Sequence, residues 1–198
     1  YLWCLMSTFH DIAIPIDHKK EKVEATELGK NVYDILTEIA SKSPRGANRL
    51  LLLPHFVGSG TGPSPSLNRD SKGTLLGLSM FHKKEDIIRA ILEGVAYELR
   101  TIVEFLQDCE INVSELRAVG GGAKSRFWLQ VKADITNRRI VVPMITESSA
   151  LGAAILAGIG VKKYGDPEDA VSKVYREKDI YEPNPEGNRI YERYYQVY

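Results

Sequence analysis

The sequence predicts an α/β layered domain, and three observations carry that expectation. Short apolar runs of strand length alternate with longer segments whose apolar residues recur at helical spacing. The plainest of those segments, Glu85 to Gln107, keeps the helical period over about six turns. Between them, Ala118-Val119-Gly120-Gly121-Gly122-Ala123-Lys124-Ser125 joins a strand-like stretch to a helix-like one through three consecutive glycines.

In chain order, residues 19–42 are charged and helix-forming, with Val23, Leu28, Val32, Ile35, Leu36 and Ile39 roughly on one face. Leu50 to Leu53 read as a buried strand ending at Pro54. A long loop follows, Gly58 to Gly73, rich in glycine, serine and proline. Loops of that length inside a compact domain are more often functional than idle. Gly73 to Ser79 reads as a strand.

The helix Glu85 to Gln107 packs Ile87, Ile88, Ile91, Leu92, Val95, Leu99, Ile102, Val103 and Leu106 on one side. Glu85 and Asp86 suit the positive end of its dipole, and Glu85 is spaced to pair with Arg89. This reads as a core helix with a wet outer face. Leu116 to Val119 is a strand leading into the glycines, Ser125 to Asn137 a helix, and Ile140 to Pro143 another strand. Ser149 to Gly160 is a helix of small residues that could lie close to a neighbouring backbone. Asp166-Pro167-Glu168 has the cap, proline and acid of a helix start. The tyrosine-rich end is helical after Pro185.

Bulk properties exclude several function classes. Lysines plus arginines number 26, as do aspartates plus glutamates, so no basic excess points to nucleic acid. No apolar run is long enough to span a bilayer. Cys4 and Cys109 are far apart without metal-type spacing, and read as reduced thiols in a cytosolic, hence cytoplasmic, protein. The chain opens on Tyr1 within an apolar run, as a fragment of a longer chain would.

The triple glycine is the main candidate site. Strand, glycine turn and helix together make an anion site, because glycine admits close approach and positive φ, and the first helical N–H groups are free. Ser125 is placed to cap that helix. The P-loop pattern is missing, and a Rossmann fingerprint fails at Ser125. On residues alone, a tight structural turn explains the bend as well as a nucleotide site does. Lys124 reads as a solvated helix-start residue, and Glu147 as a local cap. His10, His18, His55 and His82 show no metal-ligand spacing, so no metal site is expected. No Ser/His/Asp or Cys/His arrangement is visible from spacing.

The run from Gly73 to Arg100 resembles the segment that marks the FGGY family of carbohydrate kinases. The matching positions are Gly73, Leu75, Gly77, Leu78, Asp86, Ile87, Ala90, Ile91, Leu92 and Glu93. Ala118 to Pro143 is similar to the family's nucleotide-binding segment, and Glu147 to Asp166 to the helix after it. The tyrosine-rich end is similar to a xylulokinase-like branch. The resemblance implies an actin-like ATPase, ribonuclease H-like domain: a central mixed sheet flanked by helices.

It also implies that residues 1–198 form a single domain, the C-terminal nucleotide-binding domain of a two-domain kinase whose N-terminal domain is absent from this chain. By the resemblance, Gly120, Gly121, Gly122, Ala123 and Ser125 bind the nucleotide, with ATP and Mg2+ as cofactors. A sugar, a ketose or polyol, is the phosphate acceptor, and a homodimer is one assembly open to it. The general-base aspartate is expected before Tyr1, so this chain alone is expected to be inactive, and Asp11 and Asp17 are not assigned that role. Where xylulokinase-like proteins often read G-E-R-x-P, this sequence reads Gly58-Ser59-Gly60-Thr61-Gly62-Pro63, which points away from plain D-xylulose. Two rivals keep the fold: an actin-like ATPase of chaperone or filament type, and a non-catalytic interaction domain.

Overall fold

A computed structural model describes residues 32–56, 58–59 and 68–198. The expected helix over residues 19–31, the aspartates Asp11 and Asp17, Cys4, His10 and His18, and most of the glycine-serine-proline loop lie outside the described residues.

Eleven regular elements follow one another among the described residues: α1 (Val32–Ser41), β1 (Leu51–Leu53), β2 (Thr74–Leu76), α2 (Lys84–Asp108), β3 (Glu115–Arg117), α3 (Arg126–Thr136), β4 (Arg139–Pro143), α4 (Ser148–Gly160), α5 (Pro167–Val174), β5 (Glu177–Tyr181) and α6 (Pro185–Tyr195). β1 and β2 pair antiparallel, Leu52 opposite Leu75. The second sheet is mixed: β4 lies centrally, parallel to β3 and antiparallel to β5.

The long α2 is the spine. Its Ile88, Leu92, Val95, Ala96 and Tyr97 meet Trp128, Val131 and Ile135 of α3, with Leu36 and Ile39 of α1 and Tyr191 of α6 closing the main core. Each such side chain contributes roughly 1.5–3 kcal/mol when fully buried. Gly94 lets α2 touch β1, since a Cβ there would run into the Leu52 carbonyl oxygen. A separate cluster joins Leu129 and Ala133 to Ile140 and Val142, fixing α3 on the mixed sheet.

The face of α2 is not simply apolar. Asp86, Arg89 and Glu93 are buried within it. Arg89 does not pair with Glu85; its Nε donates to Glu93 Oε1 at 2.6 Å, and its guanidinium also reaches Tyr191. Tyr191 in turn donates to Glu93 at 2.8 Å. Charge burial decides this choice, because a guanidinium out of water needs a partner that is also out of water. Burial pushes the Glu93 carboxyl up while the adjacent Arg89 pulls it down.

That network holds an unusual turn between α1 and β1. Gly46, Ala47, Asn48 and Arg49 all take positive φ, from 46° to 80°. For residues with a Cβ this costs roughly 1–2 kcal/mol each. Gly46 N donates to Glu93, Asn48 Nδ2 donates to Asp86, and the Asn48 carbonyl meets His82 Nε2 at 3.1 Å. The ring of Tyr194 fills the space a side chain at Gly46 would need.

One expectation is qualified and one corrected. α4 does run beside α5, yet none of its residues is buried, and Leu156 is 67% exposed. Glu147 sits at the N-cap of α4 but its side chain makes no capping bond. Asp166 does cap α5, accepting from Asp169 N at 2.8 Å. Cys109 is a free, exposed thiol.

Candidate functional site

The bend between β3 and α3 is fixed at both ends. Ala118 N continues the pairing beyond β3 by donating to Val141 O at 2.9 Å, and Gly120 N donates to Thr146 O at 2.9 Å. Gly120 has φ 69° and ψ −154°, a conformation open to glycine and costly for anything larger. Gly121–Ala123 then form one 3₁₀ turn, closed by Ala123 N on Gly120 O and Lys124 N on Gly121 O. Ser125 caps α3 as its position predicts, its Oγ accepting from Trp128 N at 3.2 Å. The Trp128 indole donates to Leu92 O at 3.1 Å and anchors the helix start to α2.

This construction leaves helix-start donors without acceptors in their own elements. Gly121 and Gly122 open the 3₁₀ turn and Arg126 and Phe127 open α3, so their amides have no acceptor inside those elements. The α3 dipole adds positive potential at the same place.

The three glycines have different causes. Gly120 is needed for its backbone angle. Gly122 is buried. Gly121 is exposed, does not take positive φ, and a Cβ built on it meets nothing within 4 Å. Nothing inside the described chain requires glycine at position 121.

Beside the bend lies a cavity of about 220 Å³ between α1 and the start of α3. Asp34, Thr37, Glu38 and Ser41 form one wall; Lys124, Ser125, Arg126 and Phe127 form the other. An acidic face therefore looks across at a basic one. Drug-sized pockets run to roughly 300–1,000 Å³, so this space holds one ring system rather than a whole nucleotide. Lys124 is exposed, as a solvated lysine should be, and also lines this space.

Sequence reading placed Gly120, Gly121, Gly122, Ala123 and Ser125 together, and the structure does bring them together. It missed the α1 wall and Thr146. Nothing local in the sequence ties Asp34 or Glu38 to a bend some ninety positions away. Among the described residues no group of three His, Cys, Asp or Glu side chains could hold a metal ion, and no helix is long and apolar enough to cross a membrane.

Comparison with known proteins adds an independent line. The model of the C-terminal domain of the FGGY family of carbohydrate kinases matches residues 9–161. The xylulose kinase of Staphylococcus epidermidis is 36% identical over 166 residues, 84% of this chain and 33% of that protein. The gluconokinase of Bacillus subtilis is 44% identical over 149 residues, 75% of this chain and 28% of its own. Among solved structures, ligand-bound xylulose kinase from Lactobacillus acidophilus superposes with a TM-score of 0.74 at 26% identity, covering 86% of this chain and 34% of the other. Plasmodium falciparum glycerol kinase with ADP gives 0.67 at 27% identity, covering 82% and 32%. The chain spans about a third of the length of the curated relatives it matches.

Proposed function

The chain belongs to the FGGY family of carbohydrate kinases, and on that premise we propose that it is the ATP-binding half of a cytoplasmic kinase that transfers a phosphoryl group from MgATP to a sugar hydroxyl. Its fold is that of the FGGY sugar kinases, an actin-like α/β architecture.

The observation that carries the nucleotide assignment is Gly121. It is a glycine without positive φ, with open space where its side chain would be, and so without a cause among the described residues. A nucleotide lying against the bend supplies that cause. The helix-start amides of Gly121, Gly122, Arg126 and Phe127 donate to phosphate oxygens, helped by the α3 dipole. Ala123 and Ser125 hold the turn in shape, Ser125 by occupying the Trp128 amide so that the helix start cannot fray. Lys124 and Arg126 add positive charge at the rim, and the adjoining cavity accepts a ring of the nucleotide.

Phosphoryl transfer needs placement and charge stabilisation more than covalent chemistry. The ion supplies charge neutralisation on the transferred group when it arrives with ATP. The described residues offer no cluster to hold it, so no metal-binding role is given to them. The acceptor sugar and the general base belong to the N-terminal domain of such a kinase. Closure of the two halves then excludes water, sparing ATP from hydrolysis. The acceptor is a ketose, a polyol or a related sugar acid, the substrate classes named for the matched relatives.

The test is a melting curve with and without MgATP, followed by a coupled assay of the intact two-domain protein against ketoses, polyols and gluconate. A ligand present at 100 times its Kd stabilises by about 2.7 kcal/mol, a readily measured shift. The expected result is a shift with MgATP and turnover with one acceptor class. No shift overturns the nucleotide site. A shift without turnover on any sugar favours an actin-like ATPase lacking a sugar pocket.

A further inference from the structure

Away from the glycine bend, three polar side chains from three separate segments meet in a row. His55, two residues past β1, places Nδ1 2.7 Å from Ser71 Oγ and Nε2 3.0 Å from Glu98 Oε1. Glu98, on α2, also accepts the Tyr198 hydroxyl at 2.6 Å. The His55 and Glu98 side chains are 13% and 14% exposed, while Ser71 is half-buried at the end of the turn that begins at Asn68.

The hydrogen positions follow from donor arithmetic. A carboxylate accepts and cannot donate, so in the neutral ring the hydrogen sits on Nε2, facing Glu98. Tyr198 donates to the same carboxylate, so Glu98 is an acceptor twice over. The Nδ1 lone pair then points at the Ser71 hydroxyl. A serine whose proton faces an imidazole, itself oriented by a carboxylate, is the Ser–His–acid arrangement that activates serine nucleophiles on unrelated folds. Here the two ring nitrogens are exchanged relative to the commonest version, with serine on Nδ1 and acid on Nε2.

We propose that Ser71 is a nucleophile activated by His55 and Glu98, able to accept an acyl group from a small activated ester. Ser71 Oγ bonds to the ester carbonyl carbon as its proton passes to His55 Nδ1. The carbon–oxygen bond to the leaving alcohol breaks, and that oxygen takes the proton from His55. Water then attacks the acyl-serine by the same route, releasing the acid and restoring the hydroxyl. No oxidant, metal or further reactant enters, and the glycine bend takes no part.

The probes are a fluorophosphonate, which bonds to the serine oxygen as fluoride leaves, and p-nitrophenyl acetate. Each is applied to the folded protein and the modified peptide located by mass spectrometry. The expected result is an adduct on Ser71 that is absent from Ser71→Ala. The labelling rate falls at least tenfold in His55→Gln and in Glu98→Gln, and stays within about twofold in Tyr198→Phe, which keeps the Ser–His–Glu line. Circular dichroism checks each fold, and Glu98→Gln reads the same relay if His55→Gln does not fold. Failure to modify Ser71 in the folded protein, or equal labelling rates in the parent and a folded relay variant, reduces the cluster to a structural clamp and overturns the proposal.

Discussion

Replacing Gly121 by valine separates what the fold needs from what the nucleotide needs. The backbone there does not take positive φ, and a Cβ meets nothing within 4 Å among the described residues, so the branch point of a side chain enters without strain. Exchanging glycine for valine in a helical turn gains a few tenths of a kcal/mol of backbone propensity. The melting temperature is therefore expected to stay level or rise slightly. The isopropyl group then stands in the space the bend leaves for the ligand. Losing close backbone approach raises the KM for ATP at least tenfold, about 1.4 kcal/mol. Calorimetric ATP binding and initial-rate kinetics of the intact two-domain protein measure it. Gly94→Ala is the matched control, because its Cβ runs into the Leu52 carbonyl oxygen and overpacking costs roughly 1–3 kcal/mol of stability. Parent-like ATP binding in a well-folded Gly121→Val protein would refute the reasoning, since bulk would then be tolerated where the nucleotide is placed.

Other outcomes follow from the same geometry. Ser125→Ala removes the α3 cap and is expected to cost about 1 kcal/mol in urea unfolding. Arg89→Met strands a buried Glu93 and should cost about 3–5 kcal/mol, whereas adding Glu93→Leu in the same chain should recover most of that loss. Lys132 lies over the Trp128 ring, and burial pulls its ammonium down to about 7 from 10.5. Between those values the unfolded chain binds more protons than the folded one, so this group makes stability rise with pH. Lys132→Met is thus expected to melt higher than the parent at pH 7, with the advantage shrinking towards pH 10.5; an advantage independent of pH would contradict it.

Local signals were legible in the sequence and distant ones were not. The period of α2 and the proline starts of α5 and α6 depend on neighbours a few positions apart, and those helices lie where periodicity puts them. The bend from Gly120 to Ser125 is equally local, hence the correct cap. β5 escaped notice because Glu177 to Tyr181 is largely charged; it is an edge strand whose identity comes from pairing with β4. The choice of Glu93 over Glu85 by Arg89 depends on Tyr191, 102 positions away. His55 meets Ser71 and Glu98 across 16 and 43 positions, separations for which histidine spacing carries no signal. The small residues of α4 let it run beside α5, yet among the described residues none of them is buried.

The wrong-handed turn at Gly46 to Arg49 also bears on the order of assembly. Its clamps come from α2 and from the ring of Tyr194, four residues before the end of this sequence. That corner is complete only when both α2 and the Tyr194 ring are in place. Loss of the Tyr194 ring would therefore loosen a corner far earlier in the chain.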